Sequence, residues 1–151
     1  MLSRERGSVL LLFPAGVLVV LVLAAMAIDS SIAFLGEREL SGAVTAAAND
    51  AVTQALSDAS FYRGGSVDVA DGEVARIVEE RVRTSLDPDR YHNLSVRAWV
   101  ERSALGCRLT LRVEASATVR YLFAPALPGG PDEARVDASA SSHPVQEAVG
   151  C

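Results

Sequence analysis

No lysine occurs in this chain of 151 residues, so all fourteen of its basic side chains are arginine. Histidine is limited to His92 and His143, and cysteine to Cys107 and Cys151. Each scarcity excludes a class of chemistry. Two cysteines with no C-x-x-C pair cannot build a four-thiolate metal site. Two isolated histidines, both beside loops, form no H-E-x-x-H pair. No G-x-S-x-G, phosphate-binding loop or dinucleotide-type glycine pattern is present either. The chain therefore reads as a non-enzyme, with no cofactor and no metal. Aromatic residues make up only 5% of it, which predicts a small, aliphatic, alanine-rich core of limited stability. From Asp29 onward twelve arginines face eighteen acids. That acidic balance with scattered arginines lacks the concentrated positive face of a nucleic-acid binder. Asp87 and Asp89 around Pro88 supply too few oxygens for a calcium loop and read as a helix stop. Asn93-Leu94-Ser95 matches a glycosylation sequon at chance level.

Charge is missing most conspicuously between Val9 and Ile28, VLLLFPAGVLVVLVLAAMAI. Twenty residues at about 1.5 Å each span about 30 Å, the thickness of a bilayer's hydrocarbon core. No polar stripe interrupts the run, so the stretch reads as a transmembrane helix, kinked near Pro14. Arg4 and Arg6 precede it, whereas Asp29 and Glu37 follow. This asymmetry predicts a cytoplasmic N-terminus and an extracytoplasmic remainder in a single-pass cell-membrane protein. The competing reading is a signal peptide cut after Ala25-Met26-Ala27, which would release a secreted domain. The length of the run and the continuing helical pattern favour the anchor.

Beyond the span, residues 29–60 contain no proline, and Leu40, Ala43, Val44, Ala47, Ala51, Ala55 and Leu56 recur at spacings of three and four. Alanine at every fourth position offers a face that a neighbour can approach closely. One helix from about residue 8 to 59 follows, projecting about 45 Å past the membrane. Its small-residue face is expected to pack on the domain's own sheet or on neighbouring subunits. After the loop at Gly64-Gly65, a shorter helix starts near Asp71, a candidate N-cap, and ends near Leu86. The period then changes to two. Leu94, Val96, Ala98 and Val100 alternate with polar neighbours. Leu109 to Tyr121 does the same over a longer run, expected to bend or bulge. Pro125, Pro128, Gly129, Gly130 and Pro131 mark an exposed loop before a third alternation, Ala134 to Ser141. The expected fold is α+β, with a long N-terminal helix, one short helix and an antiparallel sheet of about three strands. Its segments are a cytoplasmic stretch 1–8, the span 9–28, the helix continuation 29–60, a small domain 61–142 and a flexible tail 143–151.

Several features taken together are familiar. Arg4-Glu5-Arg6-Gly7-Ser8 leads into an apolar helix containing Pro14. Asp29 stands at its far end, followed by Ala46-Ala47-Ala48-Asn49-Asp50-Ala51 and a β-rich tail with Val119-Arg120-Tyr121-Leu122-Phe123-Ala124-Pro125 and Ala138-Ser139-Ala140. This organisation resembles the TadE/TadG-like proteins of bacterial tight-adherence (Flp-type) pilus systems. The resemblance implies a minor pilin, a pseudopilin or an accessory envelope protein, acting through helix packing with the lipid bilayer and with other pilin-like or Tad-assembly membrane proteins as a homo- or hetero-oligomer. A processed pilin of this kind carries a glycine at the cut and a glutamate five residues into the mature chain. Gly7 and Ser8 stand where such a cut would fall, but the fifth residue is Leu12, which points to the unprocessed type. Asp29 is either solvated at the headgroups or paired with a cation on a partner helix. Cys107 and Cys151 could be bridged outside the cytoplasm or remain separate thiols. The alternative function is a membrane-tethered binding or adhesion module.

Overall fold

The computed structural model describes residues 6–62, 71–102 and 109–143, with only the backbone given for 6–11, 55–62, 71, 102 and 109. The first element, α1, is a single α-helix, Arg6–Tyr62, of 57 residues. It carries on through Pro14 and extends a few residues past the expected limits at both ends. No glycine or proline pair follows the apolar run, so nothing in the local chemistry stops the helix where the membrane would. In the apolar half Leu12, Phe13, Leu18, Val20, Leu21 and Leu23 are all more than half exposed. The helix is long and apolar enough to cross a membrane, and only 6% of its most apolar stretch is buried within the protein. A single-pass membrane protein fits this architecture.

The second helix, α2, covers Asp71–Ser85. Asp87 closes it: its side chain accepts the Asp89 N–H at 3.0 Å, and its carbonyl accepts the Arg90 and Tyr91 N–H groups. The aspartates around Pro88 thus form a helix stop, as their spacing suggests. Three antiparallel strands follow: β1 (Tyr91–Arg102), β2 (Leu109–Arg120) and β3 (Glu133–Ser142), in the order β1-β2-β3. The β1–β2 connection lies outside the described residues.

Both helices cover one face of this sheet. α1 lies against β3 and β2, while α2 packs beside α1 and over β1. The sheet's inward residues Leu111, Val113, Ala115, Ala117, Val119 and Val136 meet Leu40, Val44, Ala47, Ala48 and Ala51 of α1 and Val74, Val78 and Val82 of α2 in one core. The opposite face is polar and wet, which is why the strands alternate. Gly36 lets the helix approach closely, since a Cβ there would stand 3.0 Å from the Val119 methyl.

One irregularity differs from the sequence-based expectation. The bulge lies in β1, not in the longer alternation of β2. His92 pairs with Thr118 and Ser95 with Ser116, so Asn93 and Leu94 together oppose Ala117. Asn93 takes the positive φ of 53°, a conformation its short polar side chain tolerates. The extra residue shifts the strand's parity, and Tyr91 and Val96 therefore both face the core. β2 is paired on both edges and keeps an unbroken register with β3.

Candidate functional site

The most distinctive polar arrangement sits where the apolar run ends. Asp29 lies on the same face of α1 as Ile32, Gly36, Leu40, Ala43 and Ala47, at spacings of three and four. It is buried, with 5% of its surface exposed. Its carboxylate meets three successive backbone N–H groups just past β2. Oδ1 accepts from Leu122 at 2.9 Å, both oxygens share the Phe123 N–H at 3.2 Å, and Oδ2 accepts from Ala124 at 2.6 Å. Those amides open a short 3-10 turn, Ala124–Ala126, whose own N-cap residue, Phe123, provides no side-chain cap. Unpaired N–H groups at a helix start favour an anion. Here the anion comes from α1, 94 positions earlier in the chain. Burial pushes the Asp29 carboxyl up, but the three N–H donors outweigh it and leave its pKa below the ordinary value.

Neither sequence-based reading of Asp29 includes this contact: within the chain its side chain is buried against the loop that follows β2. Its partners are backbone amides, which no residue-type pattern advertises. The helical spacing does carry a signal, because the Leu40–Ala51 stripe traced back by three and four reaches Asp29.

The loop held by Asp29 is itself closely built. Tyr121 N–H donates to the Asp132 carbonyl, Leu127 N–H to that of Ala124, and Gly130 N–H to that of Leu127. Gly129 adopts φ of 77°, and any Cβ at Gly130 would collide with the Ala124 carbonyl oxygen. Both glycines are thus required by the turn.

A second cluster lies about two to three turns further along α1. Tyr91 Oη stands 2.9 Å from Glu39 Oε2 and 3.2 Å from the Gly36 carbonyl oxygen. Arg90 Nη1 donates to the same Glu39 oxygen at 3.0 Å, and its guanidinium carbon lies 5.8 Å from the Tyr91 ring centre. Burial, with the hydrogen bond and charge of Glu39 behind it, pushes the Tyr91 phenol up to about 12. The cluster ties α1 to the start of β1. At the other end of the sheet Ser142 Oγ donates to Asn49 Oδ1 at 2.9 Å and joins β3 to the same helix.

The expected helix-packing residues are placed as follows. Leu40, Ala43, Val44, Ala47 and Ala51 are all buried in the protein's own core. Of the two packing partners left open by the sequence, the domain's own sheet holds the face. For Ala55 the structure gives the helical backbone alone. Gly7 and Ser8 lie within the first turns of α1, and Cys107 and Cys151 fall outside the described residues. His143 Nδ1 stands 3.1 Å from Thr110 Oγ1. Among the described residues, no group of three or more His, Cys, Asp and Glu is placed to hold a metal. On the wet face a shallow concavity of about 520 Å³ crosses all three strands, lined by Ser95, Arg97, Glu114, Ser116, Arg135 and Asp137 among others. These side chains alternate in charge and form no nucleophile–base pair.

The fold and site together define a class: an apolar helix of membrane-spanning length that runs without a break into a small α+β domain and is clamped to that domain by one buried carboxylate. No protein-family model, curated protein or solved structure matches this chain.

Proposed function

We propose that this chain is a single-pass membrane protein, with its N-terminus in the cytoplasm and its α+β domain on the other side. We further propose that it works as a minor pilin-like or accessory component of a Tad/Flp-type pilus or secretion system. The observation that carries this reading is the undivided α1. One helix provides both the apolar run and the face on which the domain's core is built. A tether would need only a flexible link, whereas a continuous helix transmits any association within the bilayer directly to the domain outside. The alanine stripe is already occupied by the domain's own sheet. Lateral association is therefore assigned to the apolar run and to the exposed side of α1, where Phe34 and Leu35 are 64% and 51% exposed. Orientation rests on the arginines before the run and the acids after it.

The test is co-purification of a tagged full-length chain, in mild detergent, with the ATPase and platform membrane proteins of the pilus system. Recovery of those proteins together with loss of pili on deletion is the expected result. Intact pili and no recovered assembly protein would reject the pilus role. Reporter fusions at each end check the orientation. N-terminal sequencing checks the secreted alternative, which requires a mature chain that starts near Ile28. A second reading, a tethered binding or adhesion module, is supported by the polar concavity at Arg97, Glu114, Arg135 and Asp137. It predicts normal pili but reduced attachment to surfaces on deletion.

A further inference from the structure

The segment Tyr121–Pro131, YLFAPALPGGP, contains no charged residue. It is flanked by Arg120 and Asp132, so the lack of charge is confined to the loop. Its large apolar side chains are not folded inward: Leu122 is 68% exposed, Phe123 43% and Leu127 38%. Among the large hydrophobic residues described, the others exposed to this degree all lie on α1, between Leu12 and Leu35. Single exposed leucines need no explanation, but a contiguous uncharged apolar loop does.

The position of the loop identifies what covers it. β2 descends along α1 toward the apolar run, with Val119 beside Gly36 and the Leu122–Ala124 amides on Asp29. Asp29 directly follows Ile28, the last residue of the run. The backbone of the loop is therefore fixed at the level where the helix leaves the hydrocarbon, and β3 turns away from that level. The span's own boundary continues sideways into the loop. Ser30 and Ser31, the next polar residues on α1, donate their hydroxyls to the Met26 and Ala27 carbonyls at 2.8 Å, which suits the same interfacial depth. Proline and glycine, together with the Asp29 clamp, make the loop a preformed surface.

We propose that Tyr121–Pro131 is a membrane-seated foot: clamped to the end of the span by Asp29, it rests Leu122, Phe123 and Leu127 in the headgroup–acyl boundary of the leaflet from which α1 emerges. The partner is the lipid surface itself, reached at a depth of about 5–10 Å as in other interfacial segments. Arg120, exposed and only loosely paired with Glu133 at 3.8 Å, stands at the edge of the foot, where lipid phosphates lie. The foot fixes the tilt and height of the domain over the bilayer. It rests on the membrane-span reading but not on any pilus role.

The test is tryptophan quenching in the full chain reconstituted into phosphatidylcholine vesicles whose acyl chains carry bromine. Trp99 is the one native tryptophan and lies in β1 opposite Arg112, ten residues up β2 from Leu122. It reports the far end of the domain. In a Trp99→Phe background, Phe123→Trp and Leu127→Trp place the probe in the foot, and Phe13→Trp places it in the span. The expected result is that emission from positions 123 and 127 is quenched in brominated relative to unbrominated vesicles, because a depth of about 5–10 Å brings these side chains to the acyl chains, while the unaltered chain's Trp99 is unchanged. Two loop positions guard against one substitution disturbing the turn. Quenching at position 13 with none at 123 and 127 would overturn the foot and leave the span standing. No quenching at position 13 would overturn the span as well.

Discussion

A carboxylate on three backbone amides ties the loop to α1, and its removal is a single-residue experiment. Asp29→Asn keeps the shape but loses the charge and one acceptor oxygen. The variant is expected to melt at a lower temperature, with faster hydrogen exchange at Leu122, Phe123 and Ala124 and little change at Val113 in the strand centre. The pKa of Asp29 is depressed in the fold, so its contribution is present above the ordinary carboxyl range and is lost as pH falls through the folded value. Melting curves of the two proteins should therefore converge in acid and separate toward neutrality. A constant gap across that range would show that the charge is not what matters. Tyr91 behaves in the opposite sense. Its pKa is raised to about 12, so its hydrogen bond to Glu39 stabilises the fold below the ordinary tyrosine value of 10.0 and is lost as pH rises through about 12. Tyr91→Phe is expected to cost about 1 kcal/mol at neutral pH. The ultraviolet phenolate titration of the native protein should show one late-ionising tyrosine that this variant lacks.

At the scale of elements, α1 decides which face of an alanine-rich helix is spoken for. Ala47 is 2% exposed against the sheet, whereas Ala46 beside it is exposed. Ala47→Leu should destabilise the domain by about 1–3 kcal/mol through overpacking, and Ala46→Leu should stay within about 0.5 kcal/mol of the native protein. Equal effects in denaturant unfolding would mean that the stripe is not seated as described. Gly36→Leu should cost a similar 1–3 kcal/mol or so, because the added side chain meets Val119 and Val136. Much of this architecture was legible in the chain. A run of helix formers without breakers predicts α1, and alternation at a period of two predicts the strands with their inward and outward faces. The β1 bulge was not legible, because Asn93 carries it through backbone conformation and Leu94 looks like an ordinary member of the alternation. The destination of the stripe was not legible either, since small residues suit a sheet and a neighbouring helix equally. The Asp29 clamp was not read from the sequence: the stripe begins there at Leu40 and reaches Asp29 only when traced back by three and four, and the identity of its partners depended on where β2 ends. The proline and glycine residues of the loop announced a turn, but its exposed apolar side chains acquire meaning only once that turn is placed beside the end of the span.

For the molecule as a whole, the consequence of an unbroken α1 is that rotation and height are shared between the apolar run and the domain. Helical geometry turns about 100° and rises about 1.5 Å per residue, so the coupling can be tested by changing the length of α1 between its two attachments. One alanine inserted between Ala33 and Phe34 leaves Gly36 through Ala51 free to keep their seat on the sheet. It swings Asp29 by about 100° away from the Leu122–Ala124 amides. Four inserted residues turn the helix by about 400°, bringing Asp29 nearly back to its face but displaced by about 6 Å. The one-residue insertion should therefore reproduce the Asp29→Asn exchange pattern, with fast amides at 122–124 over a protected core. Three substituted backgrounds make the comparison internal: the insertion alone, Asp29→Asn alone, and both together. The combined variant should exchange no faster than either single one, because each removes the same clamp. Additive acceleration would mean that the insertion acts elsewhere, and unchanged exchange would mean that α1 bends at the junction and absorbs the extra residue. In that case span and domain would be hinged, and the helix could not carry association in the bilayer to the domain beyond it.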